Sequence, residues 1–460
     1  MKTFNPVNEI RSFFWFIKAL WYSIRSSYWF LPALMVIFSV FLSFTTIYID
    51  YRVIKTEWIE SFEWFTVNTP DGARALLSTV AGSMITVAGV VFSILIVALT
   101  LASSQFGPRL LENFMRDRGN QVVLGTFIST FVYCLLLLRT IRGGDSSFIP
   151  QLSVTVALLL AIFSISVFIY FIDHAATSIR ASNVINGAKS NLDKAIEDLF
   201  PEKIGHGRKD LGSWWISPEE LPADFSEESR PVAAPSSGYV RVVDNHGLMD
   251  LSTSRNLILK IEHKPGDFVV EGRALVYVWP GEELDGDTKG DIEGSFILGT
   301  KRTSEQDAEY AIDQLVEIAV RALSPGINDP FTAIMCIDNL TSALCEVAGR
   351  STPSAYRYDQ QNQLRIIAKT TTFTNLLDAS FNQIRQYGQS SAAVTIRLLE
   401  SIAVIAGAVS GEIEKEALLR HAKMIRRGGY NGLPEELDRK DVEDRYVKVL
   451  ELLGAKEGQI

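Results

Sequence analysis

From Ser78 to Gln105 the chain carries no formal charge, and its small and polar residues recur at helical spacing. Ser78, Gly82, Thr86, Gly89, Ser93, Thr100 and Ser104 follow steps of three or four, with Val97 filling the gap. Such steps fall on one face of a helix. Val80, Val87, Val91, Phe92, Leu95, Leu99 and Leu101 occupy the other faces. At about 1.5 Å per residue the stretch reaches roughly 42 Å, enough to cross a bilayer with tilt. The pattern predicts a membrane helix, apolar around most of its girth, with one narrow and weakly polar stripe. Two readings of the stripe stand. Small residues let neighbouring helix backbones approach closely. Hydroxyls along the whole length can instead line a pathway, where they replace part of an ion's hydration.

Three further apolar runs, Tyr28 to Tyr48, Val122 to Leu138 and Ile149 to Ile172, predict a four-helix transmembrane domain over residues 28–172. Residues 1–27 differ. Arg11, Lys18 and Arg25 recur every seven residues among Phe13, Phe14, Trp15, Phe16, Leu20 and Trp21. That mixture predicts an amphipathic helix lying at the membrane surface. The loop after the first span carries Glu57, Glu60, Glu63 and Asp71, with Trp58, Phe62, Trp64 and Phe65 between them. Cations near the span ends set the orientation. Lys2, Arg11, Lys18, Arg25, Arg109, Arg116, Arg118, Arg180, Lys189 and Lys194 lie on one side, against Arg52, Lys55, Arg74, Arg139 and Arg142 on the other. The richer side is cytoplasmic. Both termini are then inside, and the acidic loop forms an outer vestibule. Gly107 and Pro108 end the second span. Gly stops a helix and Pro starts one, so they mark a turn, or a hinge at an inner mouth.

Residues 173–237 predict a helix leaving the membrane, then a linker. Asp173 and His174 sit at its start, as an interfacial anchor or a proton relay. Residues 238–300 read as a small β module, with strand-like runs at Gly238 to Val243, Leu257 to Ile261, Phe268 to Val270 and Ala274 to Val278. Turns fall at Pro265-Gly266-Asp267 and Glu271-Gly272-Arg273. The G-D-x-V-x-x-G-x-x-L spacing from Gly266 to Leu275 resembles a lipoyl- or biotinyl-type barrel-sandwich. No Met-Lys-Met follows, so the module is structural and carries no prosthetic group. Residues 301–426 predict a helical cytoplasmic domain. In it Asp313, Glu317 and Arg321 climb one helix face, and Asn328 and Asp329 form the turn before Pro330. These five are either a solvated face with a capped turn or a polar contact site. Leu376, Leu377, Phe381 and Ile384 present more apolar face than the β module can cover, which predicts a homo-oligomer. Residues 427–460 are charged and read as peripheral.

Composition narrows the function. Hydrophobic residues make up 47%, which suits a mixed membrane and soluble architecture. A net charge of −9 with no basic region argues against nucleic acid as a partner. Cys134, Cys336 and Cys345 form no C-x-x-C pair, and the histidines are dispersed, so no metal site or cofactor is predicted. Asp285, Asp287 and Lys289 imitate a calcium loop, but Phe296 stands where the bidentate Glu belongs. No nucleophile–base pair or phosphate loop is recognisable, so an enzyme is not expected.

Two long stretches carry a family resemblance. They are QFGPRLLENFMRDRGNQVVLGTFISTFVYCLLLLRTIR, from Gln105 to Arg142, and RTSEQDAEYAIDQLVEIAVRALSPGINDPFTAIMCIDNL, from Arg302 to Leu340. The chain resembles a bacterial family of predicted membrane proteins, domain of unknown function 2254. The resemblance implies a bacterial inner-membrane protein with a soluble C-terminal part, and no defined activity. The residues themselves favour a homo-oligomeric channel or transport protein in the lipid bilayer. Its pathway would be lined by the second span, with inorganic ions, cations foremost, as its cargo. The alternative is a non-conducting scaffold or sensor whose cytoplasmic domain binds a ligand or protein.

Overall fold

The computed structural model describes residues 28–53, 69–107, 117–142, 148–199, 221–350 and 354–455. The chain divides into two compact units, Met1–Val184 and Ile185–Ile460.

The first unit is a bundle of four long apolar helices: α1 (Phe30–Val53), α2 (Pro70–Phe106), α3 (Arg118–Leu138) and α4 (Gln151–Ser178). The helix α2 begins earlier than the apolar run suggested, because Thr69 caps it by accepting from the Gly72 N–H at 3.1 Å and Pro70 opens its first turn. Its 37 residues reach about 55 Å, well beyond a hydrocarbon core of about 30 Å. It ends where Gly107 takes a φ of 109°, with its N–H bonded to the Ser103 carbonyl.

The packing centre is α3, which touches α1, α2 and α4. Two cores stack along it. One joins Ala73, Leu77 and Ala81 of α2 to Tyr133, Cys134 and Leu137 of α3 and to Val154 and Ala157 of α4. The other joins Met84, Ala88, Val91 and Leu95 to Val123 and Phe127 and to Val167 and Phe171. The helix α3 therefore runs antiparallel to both neighbours. Val91 and Leu95, expected among the outward faces of the second span, belong to this core. Alanine at every second or third contact of α2 lets the helices approach closely.

After α5 (Ala181–Leu199) and the short α6 (Phe225–Glu228), the second unit opens with a β region. Its elements are β1 (Arg230–Ala233), β2 (Gly238–Val243), α7 (Asn245–Ser254), β3 (Ile258–Ile261), β4 (Phe268–Val269), β5 (Ala274–Trp279), α8 (Gly286–Gly294) and β6 (Phe296–Gly299). The predicted turns are present, with Gly266 and Gly272 at positive φ. The module is not contiguous in sequence. Strands β7 (Tyr356–Tyr358) and β8 (Leu364–Ala368) return from the helical region, and β8 pairs in parallel with β3. The sheets run β1-β5-β3-β8-β7 and β4-β2-β6 around a Val, Leu and Ile core.

The remaining helices are α9 (Ala308–Ala322), α10 (Pro330–Ala348), α11 (Phe373–Gly388), α12 (Ala392–Ala406), α13 (Glu412–Gly432) and α14 (Glu436–Leu453). Among the described residues five helices are long and apolar enough to cross a membrane, α1 to α4 and α10. The first four make the first unit, whereas α10 packs in the second among α9, α11 and α12. Leu376, Leu377, Phe381 and Ile384 are fully buried within the chain. The sequence argument that they need another subunit to cover them therefore fails. Nor are all residues after 426 peripheral, since Val442, Tyr446, Val449 and Leu450 of α14 are buried where it packs on α12 and α13.

The β region is tied to the helices through α9. Asp307 caps α9 by accepting from the Tyr310 N–H. It also receives Nε and Nη2 of Arg302 at 2.8 and 3.0 Å. The turn at Gly266 lies so close that a Cβ there would meet Asp307 Oδ2 at 2.3 Å. Only glycine fits both this approach and the positive φ.

Candidate functional site

Along α2 the predicted stripe is fully legible in space. Ser78, Gly82, Thr86, Gly89, Ser93, Thr100 and Ser104 are all exposed, while Ala73, Leu77, Ala81, Met84, Ala88, Val91, Leu95, Ala98 and Ala102 are buried. At 100° per residue the two sets centre on opposite sides of the helix. A Cβ added at Gly82 or Gly89 would meet nothing within 4 Å. The hydroxyls turn back on their own helix. Thr86 donates to the Gly82 carbonyl, Ser93 to Gly89 and Thr100 to Ile96, at 2.8 to 2.9 Å. This leaves each hydroxyl oxygen able to accept from outside.

The contrast with the other helices is chemical. Polar bonds inside the bundle come from α1, α3 and α4. Ser39 donates to the Ser129 carbonyl at 2.6 Å, the Thr46 and Tyr133 hydroxyls meet at 2.9 Å, and those of Thr130 and Ser164 at 3.3 Å. The face that α2 turns to the bundle is apolar, and its hydroxyls face away. Close packing within the subunit therefore does not account for the stripe.

The ends of the bundle hold two built polar clusters. At one end, buried Asp50 of α1 accepts from the Leu152 and Ser153 N–H groups, both at 2.9 Å, and from the Ser153 hydroxyl at 2.6 Å. It caps α4, whose preceding Pro150 offers no side-chain cap. The positive end of the α4 dipole and two otherwise orphaned donors are satisfied by one carboxylate. The sequence reading drew the first span to Tyr48, two residues short of Asp50. An acid inside an apolar run was the available signal. At the same end Arg74 reaches Asp71 at 3.4 Å and donates to the Ile141 carbonyl at 3.0 Å. Of the predicted vestibule acids, Asp71 opens α2 and is exposed. Glu57, Glu60 and Glu63 lie outside the described residues.

At the other end His174 Nε2 lies 2.8 Å from Asp117 Oδ1, and its ring stacks on Tyr170. Asp117 also caps α3 through the Asn120 N–H. The partner of His174 is thus Asp117 across the bundle, not its neighbour Asp173. Of the predicted hinge, Gly107 has the helix-ending geometry described above, and Pro108 lies outside the described residues.

The five polar residues predicted as a cluster make different contacts. Asp313 accepts from Arg302 Nη1 at 2.9 Å, and Glu317 and Arg321 approach at 3.5 Å. Asn328 takes a φ of 50°, and Asp329 caps α10 by accepting from the N–H and hydroxyl of Thr332. Among the described residues no group of His, Cys, Asp and Glu is placed to hold a metal ion.

The family model described as "Predicted membrane protein", domain of unknown function 2254, matches residues 25–404. An uncharacterized protein of Mycobacterium bovis is 32% identical over 392 residues, covering 84% of this chain and 73% of the relative. An uncharacterized protein of Mycobacterium tuberculosis has the same identity and coverage. No solved structure matches. The chain belongs to the predicted membrane protein family called domain of unknown function 2254.

Proposed function

We propose that this protein is a homo-oligomeric membrane channel or transport protein whose pathway runs along the exposed face of α2. One observation carries the reading: Ser78, Gly82, Thr86, Gly89, Ser93, Thr100 and Ser104 of α2 all lie opposite its packed face, along the whole span. Four spans cannot enclose a polar passage when α2 turns its polar face outward. Several copies arranged around a common axis can, with the α2 faces meeting there. On this reading α1 to α4 span, while α10, packed among cytoplasmic helices, does not. The protein sits in the bacterial inner membrane with both termini inside. The acidic loop, repeated around the axis outside, concentrates cations, most strongly at low salt.

The test is ion flux from purified protein in liposomes, with oligomer size measured on the same samples. Ser93→Leu places a bulky apolar group at mid-span in every copy and is expected to abolish flux while the oligomer persists. Phe92→Ala, on the flank, leaves flux unchanged. If Ser93→Leu dissolves the oligomer, the stripe is a packing seam between subunits and the protein a scaffold. If the oligomer and flux both survive, the stripe lines no pathway.

A further inference from the structure

In the second unit α11 and α13 pack together, and their charged residues occur in matching pairs seven positions apart. At the first level Asp378 of α11 faces Arg420 and His421 of α13. Arg420 Nη2 and His421 Nε2 each lie 2.6 Å from Asp378 Oδ1. Seven residues further along both helices the corresponding residues are Arg385 and Arg427. Here the acid is missing. Among the described residues neither arginine makes a hydrogen bond or ion pair, and Arg385 Nε is buried without a partner. Burial, and then the charge of Arg427, push the Arg385 guanidinium below its usual range.

A cation in the last turn of a helix complements the dipole, and this explains why Arg385 stands near the end of α11. It does not explain a second arginine at the same level of α13, five residues before that helix ends. Nor is there a shortage of acids, since Asp and Glu outnumber Lys and Arg by 53 to 44. Beside the pair α13 is rich in glycine. A Cβ at Gly428 would lie 3.8 Å from Gln389 Oε1, and one at Gly432 would strike the Gln389 carbonyl at 2.4 Å. These glycines let the end of α11 close on α13. Two guanidinium forks at one level of the packed helices, neither of them paired with a carboxylate, match the oxygens of one tetrahedral oxyanion.

We propose that Arg385 and Arg427 form a binding site for a phosphate group, either free or carried on a lipid headgroup. The site is separate from the pathway along α2 and stands whether or not that pathway conducts.

The test is thermal unfolding of the full-length protein at fixed pH. Inorganic phosphate is compared with chloride at matched ionic strength, in detergent. Anionic and zwitterionic phospholipids are compared in nanodiscs. Bound phosphate stabilises the folded state by mass action, so phosphate or the anionic lipid is expected to raise Tm by about a few degrees. Arg427→Gln, at an exposed position, is expected to abolish that rise. It is also expected to raise Tm in anion-free buffer, because the like charge that acts on Arg385 is gone. Arg385→Gln serves as the second variant. A response to phosphate in detergent assigns a free ligand. A response confined to anionic nanodiscs assigns a headgroup. No response in the wild type, or one that survives in both variants, overturns the site.

Discussion

Asp50 shows how one side chain fixes the end of a span. It holds two N–H groups and a hydroxyl at the start of α4, in a buried setting. Asp50→Ala leaves those donors unpaired and is expected to cost roughly 2–4 kcal/mol. Asp50→Asn keeps one acceptor oxygen and falls between the two. Thermal unfolding in detergent measures the order, and equal stability of the three proteins contradicts the capping role. His421 makes a second prediction. Burial pushes its pKa down against the opposing pull of Asp378. Its Nδ1 is buried without a partner, so the neutral ring, donating from Nε2 to Asp378, fits the site best. The unfolded chain then binds a proton that the folded chain does not. The stability His421 contributes is present above its unfolded pKa of about 6.5 and is lost as pH falls through the lower folded value. Replacing His421 with Gln is expected to flatten the pH dependence of unfolding in that window. An unchanged profile contradicts the assignment.

At the scale of elements, helix ends were the easiest features to read. Asp329-Pro330 before α10 and Gly107 after α2 act on residues three or four positions away, so local sequence is enough. Thr69-Pro70 carried the same signal, but the charged residues after it hid the start of α2. The stripe was legible because periodicity places residues on faces. Which face packs was not, because that depends on contacts with α3, and the centrality of α3 leaves no mark in its own periodicity. Leu95 illustrates the gap. It reads as one more outward apolar residue, yet it is buried in the bundle core. Leu95→Ala is therefore expected to destabilise the protein by about 2–5 kcal/mol, whereas exposed Ile94→Ala is nearly neutral in the same unfolding assay. Similar losses for both would show that α2 packs differently. The α11–α13 arrangement was hidden for a related reason. Arg385 and Arg427 are 42 positions apart, and only the packing of two helices brings them together.

For the whole molecule, the division into a unit of four long apolar helices and a second unit that holds α10 makes α10 the critical helix, since its composition alone permits a fifth span. Cysteines placed at Glu60, Lys289 and Gln361, with the native cysteines replaced, settle the topology. An impermeant thiol reagent added to intact cells is expected to label position 60 and spare 289 and 361. Labelling of 361 without 289 would mean that α10 crosses. The overall division was legible from hydropathy, but the return of β7 and β8 to the β region was not. A parallel partner for β3 more than a hundred residues away is set by tertiary packing. The central claim is that the outward face of α2 borders an aqueous pathway between subunits. Its most direct test is flux from liposomes holding single-cysteine proteins, before and after a charged, water-soluble thiol reagent. Block at Thr86→Cys, Ser93→Cys and Thr100→Cys, with none at Phe92→Cys or Ile94→Cys, is the predicted result. Flux that no stripe position can block, or no flux from the wild-type protein under any voltage or tension, contradicts it.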